Sequence, residues 1–187
     1  PLIRQQLPDA QLHIYGAYTP PKATALHNPA QGFHVLNWAE DALAVMSQAR
    51  VCLAPLRFGA GIKGKIADAM LCGTPNVTTP IGAEGMHGDL PWAGAIATSA
   101  SAIAAAAVEL YRTPSAWHQA QQHGRTLLAE RYQQNVHGPA LVQRIEACRA
   151  DLPRHRRNNF TGAMLRHHHH KSTQYMAQWI EAKNRSL

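Results

Sequence analysis

Between Leu56 and Met86 the sequence reads LRFGAGIKGKIADAMLCGTPNVTTPIGAEGM, with six glycines and three cations, Arg57, Lys63 and Lys65, around one short helix-forming stretch. Glycine at 59, 61 and 64 removes side chains that would hold a ligand away from the backbone. VCLAPL, just before, has the character of a strand, so RFGAGIKG follows its C-terminal end and hands over to a helix N-terminus. Unpaired N–H groups and the positive end of the helix dipole favour an anion there. Arg57 can fork onto two phosphate oxygens, and Lys63 and Lys65 add compact charges. The chemistry open to such a bend is to cradle a diphosphate without a metal ion. On the glycines alone, a solvated turn carrying two lysines is the other reading. The Walker spacing G-x4-G-K-[ST] is absent, and Gly59, Gly61 and Gly64 match G-x-G-x-x-G without the acidic residue expected about 20 positions on. Asp68, shortly after Lys65, can accept two ribose hydroxyls; its other reading is a surface carboxylate near a helix start.

The elements that must position these residues run from Gln11 to Thr98. QLHIYG, FHVLNW, VCLAPL, NVTTP and GAIATS are short apolar runs with strand character. EDALAVMSQAR and KGKIADAMLCG read as helices between them, the first with Leu43, Met46 and Ala49 on one face, the second ended by Gly73 in a left-handed cap. This alternation predicts an α/β fold with a Rossmann-like, doubly wound parallel sheet. An antiparallel α+β domain is the alternative. After Ser99 the strand signals stop. SASAIAAAAVELYRT, PSAWHQAQQHGRTLLAERY and VHGPALVQRIEACRADL predict three helices, the first capped by serine and the second opened by Pro114. A basic link, PRHRRNN, leads to a last amphipathic helix with Tyr175, Met176, Trp179 and Ile180 on one face.

Composition bounds the rest. The chain has 187 residues, 45% of them apolar, enough for one domain with a real core. No apolar run approaches the roughly 20 residues of a membrane-spanning helix, and the N-terminus has no signal-peptide pattern. Starting as PLIRQQLPDAQLHIYG, without Met and in mid-pattern, the chain reads as the back part of something longer. Cys52, Cys72 and Cys148 are widely spaced with no C-x-x-C pair, which argues against a zinc site or disulfide framework and for a reducing, cytosolic compartment. Of the net charge of +7, residues 151–187 contribute +5, from 7 Lys/Arg against 2 Asp/Glu. RHRR at Arg154–Arg157 reads either as a solvated connector or as an attractor of anionic lipid or nucleic acid. The His167–His170 run suits adventitious metal binding, and no catalytic metal site is expected.

PLRFGAGIKGKIADAMLCGTPNVTTPIGAEGM resembles the donor-site motif of group 1 retaining glycosyltransferases, enzymes of the GT-B fold. In that family a strand ends in Pro plus a small or basic residue, a Gly-rich turn follows, and a helix contains EAMA-G-P-VV. DAMLCGTPNV is the counterpart here. The likeness runs in order and spacing from about Leu12 to Thr98. It implies the C-terminal, donor-binding half of a GT-B enzyme: a nucleotide-sugar-binding domain over 1–150 lacking its first strand, then a basic link and C-terminal helix over 151–187 packing toward an acceptor-binding N-terminal domain. It also implies transfer of a glycosyl group from a nucleotide-diphosphate sugar with retention, in cell-surface polysaccharide or glycolipid synthesis. The place would be the cytoplasm, with peripheral contact to the inner face of the membrane. Neither a metal, another cofactor nor a nucleic-acid partner is implied.

By the same resemblance Arg57, Lys63 and Lys65 would neutralise the leaving diphosphate, whose charge grows at the transition state. Asp68 would hold the ribose, backbone around Leu36 and Asn37 would meet the base, and Gly59, Ala60, Gly61 and Ile62 would complete the donor site. Gly82, Ala83 and Glu84, after the next strand, would form a plain turn or, as the less favoured role, line the sugar pocket. The family's paired glutamates fall at Ala60, which offers the sugar no carboxylate, and at Asp68, a shorter acid. Asn76 stands where valine is typical. Alone, the chain would bind donor weakly and transfer nothing. Two other classes fit part of the pattern. One is a GT-B-fold nucleotide-sugar epimerase, whose acid/base carboxylates are not evident here. The other is a nucleic-acid or membrane-binding module using the basic tail, with steeply salt-dependent affinity.

Overall fold

In the computed structural model, which describes residues 1–167 and 171–185, each expected strand forms. β1 (Leu12–Ile14) pairs parallel with β2 (Phe33–Val35). β3 (Cys52–Ala54), β4 (Asn76–Thr78) and β5 (Gly94–Ile96) make a second parallel sheet in that order, with Cys52 opposite Asn76 and Asn76 opposite Gly94. The α/β class and parallel pairing are as expected from the sequence. Among the described residues, the strands lie in two sheets rather than one continuous one.

Helices α1 (Pro21–Thr24), α2 (Ala42–Gln48), α3 (Gly64–Leu71) and α4 (Pro80–Ala83) lie between strands, and α5 (Ala100–Arg112) and α6 (Pro114–Arg131) follow them. Their ends are set by local chemistry. Asp41 caps α2 by accepting from the N–H groups of Leu43 and Ala44 at 2.9 and 3.0 Å, and Ser99 caps α5 by accepting from Ala102 at 3.1 Å. Helix α3 stops where Gly73 adopts φ 73°. There Thr74 N–H bonds back to Ala69 and Gly73 N–H to Met70, the paired closure of a Schellman turn.

Both faces of the larger sheet are covered, as its period of two requires. On one face Ala54 of β3 packs with Ile66 and Met70 of α3, Met86, Trp92 and Leu127 of α6. On the other, Leu53 and Val77 pack with Ala107 and Leu110 of α5 and Ala120 of α6. Glycine at 124 lets α6 close onto α3, since a Cβ there would meet Ala93 at 3.2 Å and Met70 at 3.4 Å.

Two compact units divide the chain, Pro1–Gln133 and Gln134–Leu187. The second holds α7 (Gln134–Ala150), α8 (Leu152–Asn158), α9 (Phe160–His167) and α10 (Lys171–Arg185). Helix α7, read from the sequence with the preceding domain, groups here. The basic stretch expected as a link is itself helical. Asp151 caps α8, accepting from Arg154 N–H and pairing with its guanidinium at 2.9 Å, and Pro153 sits in the first turn, where its missing N–H costs nothing. Helix α9 precedes the expected last helix, α10. His168–His170 of the His167–His170 run lie outside the described residues.

Candidate functional site

The ends of β3 and β4 lie side by side in a parallel sheet, so the loops that follow them meet outside its C-terminal edge. Two threonines join strand to strand and loop to loop: Thr78 Oγ1 donates to the Ala54 carbonyl at 2.8 Å and Thr79 Oγ1 to the Leu56 carbonyl at 2.6 Å. Thr79 also accepts from Gly82 N–H at 3.3 Å, which starts α4. Glycine is obligatory at 82, because a Cβ would lie 1.9 Å from Thr78 Oγ1. The far end of the second loop is held by α6. There Arg131 Nε donates to the Met86 carbonyl at 2.9 Å, and the Tyr132 hydroxyl donates to the same oxygen at 3.1 Å.

Between these loops is a concavity of about 300 Å³ lined by Gly61, Ile62, Lys63, Glu84 and Gly85. Lys63 is buried, with 7% of its surface exposed. Its Nζ donates to the Glu84 carbonyl at 3.4 Å, and no carboxylate among the described residues pairs with it. Burying an ammonium costs several kcal/mol unless a counter-charge accompanies it. Lys63 therefore gives the concavity a positive wall that one carbonyl only partly satisfies.

The backbone adds to this. From Arg57 to Lys65 no main-chain N–H finds an acceptor among the described residues. The run ends at the N-terminus of α3, where Lys63 occupies the cap position without a side-chain cap bond. Gly61 has φ 66°, the left-handed region that suits glycine. Gly64 has no positive φ, and apart from its chain neighbours and its own helix backbone no described atom lies within 4 Å of where a Cβ would stand. Packing does not demand glycine there, and its effect is to leave the helix start open. Bare amides, a helix dipole and a buried cation are groups whose chemistry suits an anion.

The other expected residues are placed unevenly. Arg57, Lys65, Gly59 and Ala60 are exposed on the same bend. The positive charge of Lys65 reaches Cys52 at the start of β3, where it partly offsets the burial that pushes that thiol up. Asp68 lies on the second turn of α3, half-buried, too far along to cap the helix. Its carbonyl accepts from Cys72 N–H at 3.0 Å while its carboxylate has no hydrogen-bond partner among the described residues, and it lies close enough to Cys72 to help burial, with Asp41, raise that thiol. Leu36 and Asn37 follow β2, in the other sheet, and among the described residues no hydrogen bond links them to the bend. Asn37 is left-handed at φ 54°, and its carbonyl accepts from Gly16 N–H, which ties the end of β2 to the end of β1.

For the second loop, the sequence favoured a plain turn at Gly82, Ala83 and Glu84 over a place lining the pocket. Gly82 and Ala83 do form a turn, the short helix α4, but Glu84 and Gly85 face the concavity. The signal was present in GAEGM, a second Gly-rich stretch after the next parallel strand.

The family model for glycosyl transferases group 1 matches residues 1–113, a span that contains β1 to β5 and both loops. No curated protein matches the chain. The match covers more than half of the sequence, and the parallel α/β fold agrees with it: the chain belongs to the group 1 glycosyltransferases.

Proposed function

We propose that the unit Pro1–Gln133 binds a nucleotide-diphosphate sugar and serves as the donor side of glycosyl transfer with retention, in the assembly of cell-surface polysaccharide or glycolipid. The observation that carries this reading is the buried ammonium of Lys63, in no ion pair among the described residues, beside a run of amides that find no acceptor there. A diphosphate supplies the counter-charge that Lys63 lacks and the acceptors those amides lack. Arg57 and Lys65, exposed on the same bend, add charge on the solvent side. Asp68, with a free carboxylate one turn into α3, receives the ribose hydroxyls. Backbone at Leu36 and Asn37 meets the base.

Transfer breaks the bond between the anomeric carbon and a diphosphate oxygen, so negative charge grows on the departing group. Fixed cations and aligned amides gain most from that growth, and this is how such a site lowers a barrier. These groups do without a metal what a divalent ion does elsewhere. The acceptor hydroxyl, presented by a further domain, makes the new bond on the same face of the sugar and gives its proton to the departing diphosphate oxygen. Without that domain the chain binds donor weakly and does not turn over.

Calorimetric titration with UDP, GDP and ADP tests the reading. One of the three binds, and Arg57→Ala or Lys65→Ala each weaken it by about tenfold or more, the loss of a charge-assisted contact. Unchanged affinity in both variants removes the cradle.

A further inference from the structure

The second unit has a surface that glycosyl transfer does not explain. From Gln134 onward no described side chain is buried, although the segment is helical and contains large apolar residues. On α10, Tyr175, Met176, Trp179 and Ile180 share one side by their spacing, and their exposures are 61%, 58%, 59% and 47%. On α9, Phe160 and Met164 sit one turn apart, 75% and 47% exposed. Helices this short are marginal in water without a partner to bury their apolar side.

Charge identifies the partner. Residues 134–187 carry 9 Lys/Arg against 3 Asp/Glu, so +6 of the chain's +7 resides there. Arg154, Arg156 and Arg157 are exposed on α8, which packs with α9. Lys171 opens α10 and Arg185 closes it. Lys183 lies 5.2 Å from the Trp179 ring, where a flexible stem can lift its ammonium above an apolar layer. Glu181 falls on the opposite side of α10 from Trp179 by helical spacing. Aromatic and aliphatic side chains on one side, cations at both ends and the acid turned away are the features of a helix that lies in a lipid interface. No helix among the described residues is long and apolar enough to cross a membrane. Nucleic acid would engage the cations and leave Met176 and Ile180 without a reason to be exposed.

We propose that α8 to α10 form a docking surface for an anionic phospholipid bilayer, with the apolar side of α10 in the interface and the arginines of α8 over acidic headgroups. The inference is independent of the donor site.

Co-flotation of the full chain with vesicles tests it. Binding is expected to equimolar phosphatidylcholine and phosphatidylglycerol and not to phosphatidylcholine alone, and to weaken as salt screens the headgroups. Arg156→Gln with Arg157→Gln should lower binding by about fivefold per charge removed. Trp179→Ala with Ile180→Ala should lower it by about tenfold or more, as the buried apolar area is lost. Because these positions are exposed, both double variants should keep the melting temperature of the parent chain. Equal binding to both vesicle types, or no loss in either variant, overturns the proposal. So does tighter binding to duplex DNA than to the acidic vesicles, or protection of α10 in plain buffer by a second copy of the chain or another domain.

Discussion

Lys63 shows how one residue can be read in two ways that a single substitution separates. As a structural staple it joins the β3–α3 bend to the Glu84 carbonyl, but the 3.4 Å bond is long and no carboxylate among the described residues forms an ion pair with the ammonium. As part of a ligand site it is a charge held ready for an incoming anion. Lys63→Met keeps the length and apolar stem while deleting the charge. The expected result is a melting temperature equal to or above the parent's, because a buried unpaired charge has gone, with nucleoside diphosphate affinity down by about tenfold. A marked drop in melting temperature would make Lys63 a staple first. Asn76 is the opposite case, a buried polar residue remote from the cradle. Its Nδ2 donates to the Ala93 carbonyl at 3.1 Å while Oδ1 has no partner among the described residues. That carbonyl already accepts from the Asn76 main-chain N–H at 2.9 Å, so losing the amide orphans nothing. Asn76→Val should stabilise the domain by about 1 kcal/mol, the cost of an unsatisfied buried acceptor, read as a higher midpoint in urea with an unchanged slope.

Among the elements, those that were legible are the ones whose signals are local. The five strands announce themselves as apolar runs between turn residues, and α3 announces its end with Gly73, whose φ of 73° only glycine adopts easily. Capping made α5 readable through Ser99 and α6 through Pro114. What was not legible depends on contacts between residues distant in sequence. The Lys63–Glu84 bond spans 21 positions, and the Arg131 clasp on Met86 spans 45, so neither has a signature in any short window. The basic stretch at 153–159 looked like a link because arginines and a proline suggest solvent, yet arginine is a good helix former and Asp151 provides the cap. Neighbouring glycines of the bend make the local and non-local terms separable. Gly61→Ala meets a left-handed backbone and should cost about 1–2 kcal/mol, visible in the melting temperature whether or not ligand is present. Gly64→Ala meets no strain and no neighbour, so stability should hold or rise by about 0.5 kcal/mol. Its methyl group nevertheless enters the space at the start of α3, and diphosphate affinity should fall. If Gly64→Ala binds as well as the parent, the anion does not sit on the helix N-terminus.

For the whole molecule, the decisive contrast is between a unit with two packed clusters and one in which no described side chain is buried. Pro1–Gln133 encloses Ile66, Val77, Met86 and Leu127 at 0% exposure, and it carries 9 Lys/Arg against 8 Asp/Glu, close to neutral. Gln134–Leu187 has the charge, and none of its described side chains is buried. Stability is therefore distributed along the chain in two steps, and local opening should follow it. In native-state hydrogen exchange, amides of α3, α6 and β4 should open only with global unfolding, whereas those of α7 to α10 should exchange orders of magnitude faster in plain buffer, since helices of this length gain little without burial. Adding vesicles of phosphatidylcholine and phosphatidylglycerol should slow exchange in α9 and α10 and leave α3 and α6 as they were. Adding a nucleoside diphosphate should do the converse, slowing the amides of Arg57 to Lys65 and leaving the last two helices unchanged. The two responses are independent because the cradle is made from backbone held by a sheet, while the lipid surface is made from side chains that no sheet supports. A single ligand that slowed both regions would mean that the units share one site, and the division of labour argued from burial and charge would fail.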